Sequence, residues 1–184
     1  MCCMNPPWEV LSTRRVHDGR PFVEVACETV RLPDGRVVED YHRVVLPDYA
    51  VGVPILEDGR ILTQWQYKHG AGCVSLTFPA GHIEAGEAPE AAIRRELLEE
   101  TGHAAMGAIG FGGYVVSGNQ GCGRAHLFAL TGCRKVAEPD HDDLEEWTLR
   151  PMHAAEVEGA IRDGKLAILP HLAVWAVTRA RLGL

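Results

Sequence analysis

No stretch of this chain approaches the roughly 18 uninterrupted apolar residues of a membrane-spanning helix. The apolar run 168–177 is broken by Pro170 and His171, so no membrane partner is expected. The N-terminal stretch MCCMNPPWEV lacks a basic segment leading into an apolar one, so no signal peptide is expected and the cytoplasm is the expected location. Positive charge is scarce. Lys and Arg number 18 against 25 Asp and Glu, a formal net charge of −7 with a pI near 5.7. That balance excludes general binding to a nucleic-acid backbone, which needs clustered positive charge. It leaves room for a small nucleotide whose phosphates arrive with metal ions. Cys-x-x-Cys pairs are also missing. The six cysteines lie at 2, 3, 27, 73, 122 and 133, and reduced thiols are expected. The adjacent Cys2 and Cys3 have no nearby partner ligands that would make them a metal site. Internal repeats, low-complexity tracts and linkers are absent.

What the chain does have is enough apolar mass for a core. Its 184 residues are 46% hydrophobic and 23% charged, which suits one globular domain with at most a small appendage. The first seventy residues read as β-structure. FVEVACETVRL, the turn PDGR at 33–36 and VVEDYHRVVL predict one hairpin; YAVGVPIL, EDGR at 57–60 and ILTQWQY predict a second. HGAGC at 69–73 is a loop. Pro89 opens a helix that runs through good helix formers to Thr101, with Gly102 in place to end it. AIGFGGYVV and AHLFALTG flank the loop SGNQGCGR and read as strands. An acidic loop, EPDHDDLEE, precedes the strand WTLRP, and two helices, 154–162 and 168–182, close the chain. Strands first, one helix inside and helices last indicate an α+β fold, an α/β/α sandwich.

The helix after Pro89 carries the chemistry. Glu96 and Glu100 are i and i+4, and Glu99 is three beyond Glu96, so all three acids share one side of the helix. Like charges so placed repel. Arg95 can reach Glu99 one turn on but cannot serve the whole set. Either the face is simply solvated, or a cation compensates it. Hard cations such as Mg²⁺ or Mn²⁺ take oxygen ligands, commonly one or two carboxylates plus substrate phosphates.

The spacing decides between them. Gly81, five residues, Glu87, seven residues, Arg95-Glu96-Leu97, one residue, Glu99-Glu100, one residue and Gly102 resembles the Nudix box of the Nudix hydrolases. Only the last, usually apolar, position departs, as His103. The resemblance implies a loop–helix–loop within a Nudix-type α/β/α sandwich and hydrolysis of a nucleoside diphosphate linked to a second moiety. It implies that Glu96, Glu99 and Glu100 ligate Mg²⁺ or Mn²⁺. Glu87 and Arg95 would tie loop to helix, and Gly81 and Gly102 would give backbone freedom at its ends.

The resemblance extends to the ADP-ribose pyrophosphatase branch through Gln66-Tyr67-Lys68 and Thr77-Phe78-Pro79-Ala80-Gly81. It implies ADP-ribose or a related nucleoside diphosphate sugar as substrate, with a nucleoside monophosphate and a sugar phosphate as products. Alternatives with the same fold are GDP-mannose, a dinucleotide or an oxidised nucleotide, or a sensor that binds a nucleotide sugar without cleaving it. It further implies a backbone-carbonyl metal ligand at Ala80. Residues 1–46 would form an extra N-terminal antiparallel β-sheet that exchanges strands in a homodimer, and 47–184 the hydrolase domain. Trp65, Tyr67, Lys68 and Arg124 are the substrate-binding candidates; Trp8 and Tyr41 are further stacking groups. The catalytic candidates are Glu99, Glu100 and Asp142, with Asp140, Asp143 or His141 of the same acidic loop as other bases. Lys68 stands where arginine is usual, Thr77 where glutamate is common, and 117–124 holds no carboxylate, offering Asn119 and Gln120 instead.

Overall fold

The computed structural model describes residues 6–140 and 147–184, which separate into two units. The first holds the described residues up to Pro47 together with Val115–Arg124. Its frame is an antiparallel meander of β1 (Glu9–Gly19), β2 (Val23–Arg31) and β3 (Val37–Val45). The β2–β3 turn is made by Asp34-Gly35-Arg36. The Asp34 carboxylate accepts from the Arg36 backbone N–H at 3.0 Å and from its Nε at 2.7 Å, and Gly35 takes φ 88°, a conformation glycine adopts without steric cost. From the later stretch, Gly121 pairs with Val44, and the Asn119 carbonyl accepts the Tyr41 hydroxyl at 2.6 Å. Trp8 meets Tyr41 edge to face. This unit buries little: of its described hydrophobic side chains only Ala26 and Val30 are fully enclosed. Every residue of β1 except Gly19 is exposed. Register shifts at Val10/Ser12 and Arg15/His17 break the period of two, which is why β1 carries no alternation in its sequence.

The second unit contains the sandwich. β4 (Tyr49–Leu56) runs parallel to β10 (Gly121–Lys135) and antiparallel to β7 (Ala80–His82). β5 (Ile61–Lys68) pairs with β4 at Ile55↔Ile61 and lies antiparallel to both β6 (Cys73–Thr77) and β11 (Trp147–Met152). β8 (His103–Ala104) and β9 (Gly107–Ser117) also join β10. The helices are α1 (Pro89–Thr101), α2 (Ala154–Arg162) and α3 (Leu169–Leu182). Strand alternation sorts side chains between two cores. Ala50, Phe128 and Leu130 meet Ala92, Ile93 and Leu97 of α1; Val51, Val53, Ala125 and Leu127 meet Val157 of α2 and Val174 and Trp175 of α3. Gly52 faces α1 so closely that a Cβ there would lie 2.8 Å from Ile93. The α+β sandwich with an extra N-terminal antiparallel sheet is therefore the observed fold. The sequence reading named neither β1 nor the short β6, β7 and β8. Among the described residues no helix is long and apolar enough to cross a membrane.

Helix α1 ends where Gly102 turns left-handed at φ 68° and its N–H bonds the Leu98 carbonyl. The Gly102 carbonyl accepts from Val136 and Ala137, and the Ala137 carbonyl occupies the place a Cβ at Gly102 would take. Gly102→Ala is expected to cost about 3 kcal/mol, from left-handed strain plus overpacking, lowering Tm by about 6–12 °C. Gly164 has a similar φ of 69° with nothing near its Cβ position, so Gly164→Ala should cost only the strain, about 1 kcal/mol. Parallel thermal melts of the two variants check this difference.

Candidate active site

The 81–88 loop and α1 are held together by one guanidinium. Nε and Nη2 of Arg95 donate to the two oxygens of Glu87, both at 3.1 Å, a planar two-pronged pairing that lysine could not make. Nη2 also donates to the His82 carbonyl at 3.0 Å, and Nη1 to Glu96 at 2.7 Å and Glu99 at 3.1 Å. Arg95 thus touches two of the three clustered acids and leaves Glu100 aside. Glu87 holds the Arg95 pKa well above its usual value, and Arg95 in turn lowers that of Glu87. Gly81 is required by contact, because a Cβ there would collide with the Glu96 carboxylate.

Glu100 occupies a different environment. It is 8% exposed, whereas the Glu99 side chain is 47% exposed. Its Oε2 accepts from Gln64 Nε2 at 3.1 Å and from the Ala80 N–H at 3.3 Å. Burial outweighs both bonds and raises its pKa to about 8. The backbone carbonyls of the last turn of α1 are bonded too: Asp140 N–H donates to that of Glu99 at 2.8 Å, and the Trp147 indole to that of Glu100 at 2.7 Å. The acidic loop therefore leaves and rejoins the described chain at two consecutive glutamates of α1. Asp142, Asp143 and His141 lie outside the described residues.

The approach to Ala80 is set from the other face of the sheet. The Phe78 N–H donates to Nδ1 of His171 at 3.1 Å, and the Phe78 ring stacks on Trp175. His171 is held neutral by burial and by Lys68, its pKa lowered to about 3. Tyr49, Ala80, Gly81 and His82 line a cleft of about 230 Å³. A larger one of about 530 Å³ lies between the 68–71 loop and residues 167–169. Lys68 borders that second cleft and acts electrostatically on both Glu100 and His171. Tyr67 is half-exposed beside His69. Trp65 turns to the α2/α3 core, with the Arg150 guanidinium 5.4 Å above its ring. Arg124 is exposed and belongs to the first unit. His103 starts β8, its Nδ1 2.7 Å from the Thr101 carbonyl oxygen. Sequence reasoning missed Gln64, His171 and Trp147 as site residues. Gln64 had a signal: a polar residue at a period-two position of a strand whose same face carries buried Leu62.

Carboxylate oxygens, the Glu96 carboxylate lying against Gly81 where a Cβ would stand, and a buried Gln64 Oε1 with no hydrogen-bond partner among the described residues together suit a hard divalent cation. Among the described residues no three acidic or imidazole side chains close on one point, because Arg95 draws Glu96 and Glu99 to itself and Glu100 is tied to Gln64 and Ala80. A cation held by these acids would have to compete with Arg95 for Glu96 and Glu99.

In metal-free protein, the raised pKa of Glu100 means the folded state keeps a proton that the unfolded chain loses above about pH 4.5. Stability is therefore full below that pH and declines as pH rises through about 8. In EDTA, the Tm of the wild type should fall between about pH 5 and pH 8. Glu100→Gln, which carries no charge to desolvate, should flatten that slope; scanning fluorimetry across the range tests both.

Comparison with known proteins agrees with this geometry. Residues 46–172 match the NUDIX domain, and residues 8–44 match the nucleoside diphosphate sugar hydrolase N-terminal domain. The chain is 26% identical over 142 residues to an ADP-ribose pyrophosphatase of Bacillus subtilis (strain 168), covering 75% of each chain. It is 28% identical over 167 residues to a methanol dehydrogenase activator of Bacillus methanolicus, covering 87% of this chain and 89% of that one. The fold is similar to a crystal structure of an ADP compounds hydrolase, with a TM-score of 0.80 and 19% identity over 97% of this chain and 95% of that one. With its box glutamates on α1 and an N-terminal sheet of this kind before them, the chain belongs to the Nudix family of hydrolases.

Proposed function

We propose that this protein hydrolyses the pyrophosphate bond of ADP-ribose or a related nucleoside diphosphate sugar, with Mg²⁺ or Mn²⁺ as cofactor, in the cytoplasm. The observation that carries the reading is the burial of Glu100 between α1 and the sheet. A merely solvated acidic face would leave this carboxylate in water, since carboxylates are almost never fully buried without partners. Glu96, Glu99, Glu100 and the Ala80 carbonyl would hold the cation. When bound, a divalent cation neutralises the charge of a diphosphate and makes water nucleophilic near neutral pH.

The chain's own groups divide the remaining work. Glu99, the most exposed of the three acids, and Asp142 are the groups proposed to orient and deprotonate water, with Asp140 and Asp143 as the other loop acids. Asp140 is bonded at the Glu99 carbonyl, which supports a role for this loop at the site. Lys68 offers a mobile point charge for a phosphate. Tyr67, half-exposed, is the further proposed substrate contact. The nucleoside diphosphate sugar preference is supported by the N-terminal match and by the name of the Bacillus subtilis relative.

A homodimer built on the N-terminal strands is part of the same reading. Trp8, Val10 and Phe22 are 50%, 53% and 71% exposed, more apolar surface than a meander that buries only Ala26 and Val30 would leave to water unaided.

Release of AMP from ADP-ribose in the presence of Mg²⁺ is the direct test. Glu100→Gln should lower kcat by more than the roughly 10–100-fold that loss of an outer-shell partner costs. Turnover confined to nucleoside triphosphates would refute the substrate class; binding of ADP-ribose without cleavage would make the protein a sensor. For the dimer, gel filtration of protein truncated before Val45 should show monomer, and an unchanged oligomer would rule the strands out as its basis.

A further inference from the structure

Gln64 lies in the middle of β5 with none of its surface exposed. On the same face of the strand, Gln66 Nε2 donates locally to Thr77 Oγ1 at 2.8 Å. Gln64 reaches instead to the helix layer, where Nε2 donates to Glu100 Oε2 at 3.1 Å. The other half of its amide, Oε1, is enclosed and has no hydrogen-bond partner among the described residues. A buried acceptor left without a donor is destabilising, and an apolar side chain of the same size would avoid that cost. A glutamine here is therefore poorly explained by packing.

The donors around Glu100 give the explanation. Gln64 Nε2 and the Ala80 N–H both bond Oε2, and among the described residues no hydrogen bond reaches Oε1. Two donors on one oxygen fix the rotation of the carboxylate and leave its second oxygen without a donor among the described residues. The Gln64 amide oxygen is an enclosed acceptor to which none of the described residues donates, and a water held by a cation would supply the donor.

We infer that Gln64 is a positioning residue of the metal centre, its amide N–H selecting the Glu100 oxygen presented to the cation and its amide oxygen accepting from water in the cation's shell. This rests on the metal-dependent reading proposed above. Gln64 acts through Glu100 and takes no part in bond breaking itself. Its role is the outer-shell orientation that ligating carboxylates commonly receive.

The test is Mn²⁺ binding by the full chain, measured by electron paramagnetic resonance and by calorimetry, for wild type, Gln64→Met and Gln64→Leu. Both variants keep the volume and remove the amide. They should bind Mn²⁺ roughly 10–100-fold more weakly, while their Tm in EDTA stays close to that of wild type, because removing the orphan oxygen offsets the loss of one of the two bonds to Glu100. In steady-state assays the concentration of Mn²⁺ needed for half activity should rise by a similar factor, with KM for the nucleotide substrate unchanged. A loss of packing alone would instead lower Tm and leave metal affinity intact in whichever variant folds. Affinity within about twofold of wild type in either folded variant overturns the inference and leaves the metal reading standing. A wild type that binds no Mn²⁺ overturns the metal reading, and this inference with it.

Discussion

Three carboxylates on one turn of a helix repel one another, and the second unit is organised around containing that repulsion. Two devices share the task. Arg95 spreads a single guanidinium over Glu87, Glu96 and Glu99, and desolvation pushes Glu100 toward its neutral form. Under the proposed metal binding both are reversible: a divalent cation would replace the guanidinium as counter-charge and displace the proton, since metal ligands must be deprotonated. Stability without a ligand and readiness for one are therefore met by the same residues. The buried acid is the more demanding of the two, because it requires hydrogen bonds from β5 and from the strand entering the box.

The sheet explains how those donors arrive. Its two faces are occupied by different helices, so each strand sends alternate residues to different jobs. On β4, Ala50 serves α1 while Val51 and Val53 serve α2 and α3. On β5, Gln64 faces the acid while Trp65 turns to the opposite core. Phe78, anchored by His171 and Trp175 on one side, delivers Ala80 to Glu100 on the other. The core under α3 and the acids of α1 are thus joined through Phe78-Pro79-Ala80, the link between β6 and β7.

Much of this was legible before any coordinates. The elements with strong local signals are present: both hairpin turns with an Asp-Gly-Arg sequence, the helix opened by Pro89 and closed by Gly102, and the two final helices. The box was recognisable because its spacing is a helical period carrying charges that make no sense singly. What stayed hidden had weak or interrupted signals. β1 is polar and bulged, β7 and β8 are too short to show a pattern, and Val115–Arg124 sits with the first unit although the chain reaches it long after the second has begun.

The sequence by itself determined the α+β architecture and the side of α1 that carries the acids, which follow from local periodicity, and the family through the resemblance of its box to a known pattern. Which acid is buried was decided only in three dimensions. Glu99 and Glu100 are adjacent and chemically identical, yet one faces water and the other lies against β5. The difference comes from strands distant in the chain that pack on one side of the helix and not the other. The same holds for Gln64, His171 and Trp147, whose roles depend on partners 36, 93 and 47 residues away. The partner in a hydrogen bond across such separations cannot be read from either segment alone, since its geometry exists only once the sheet has brought the two together.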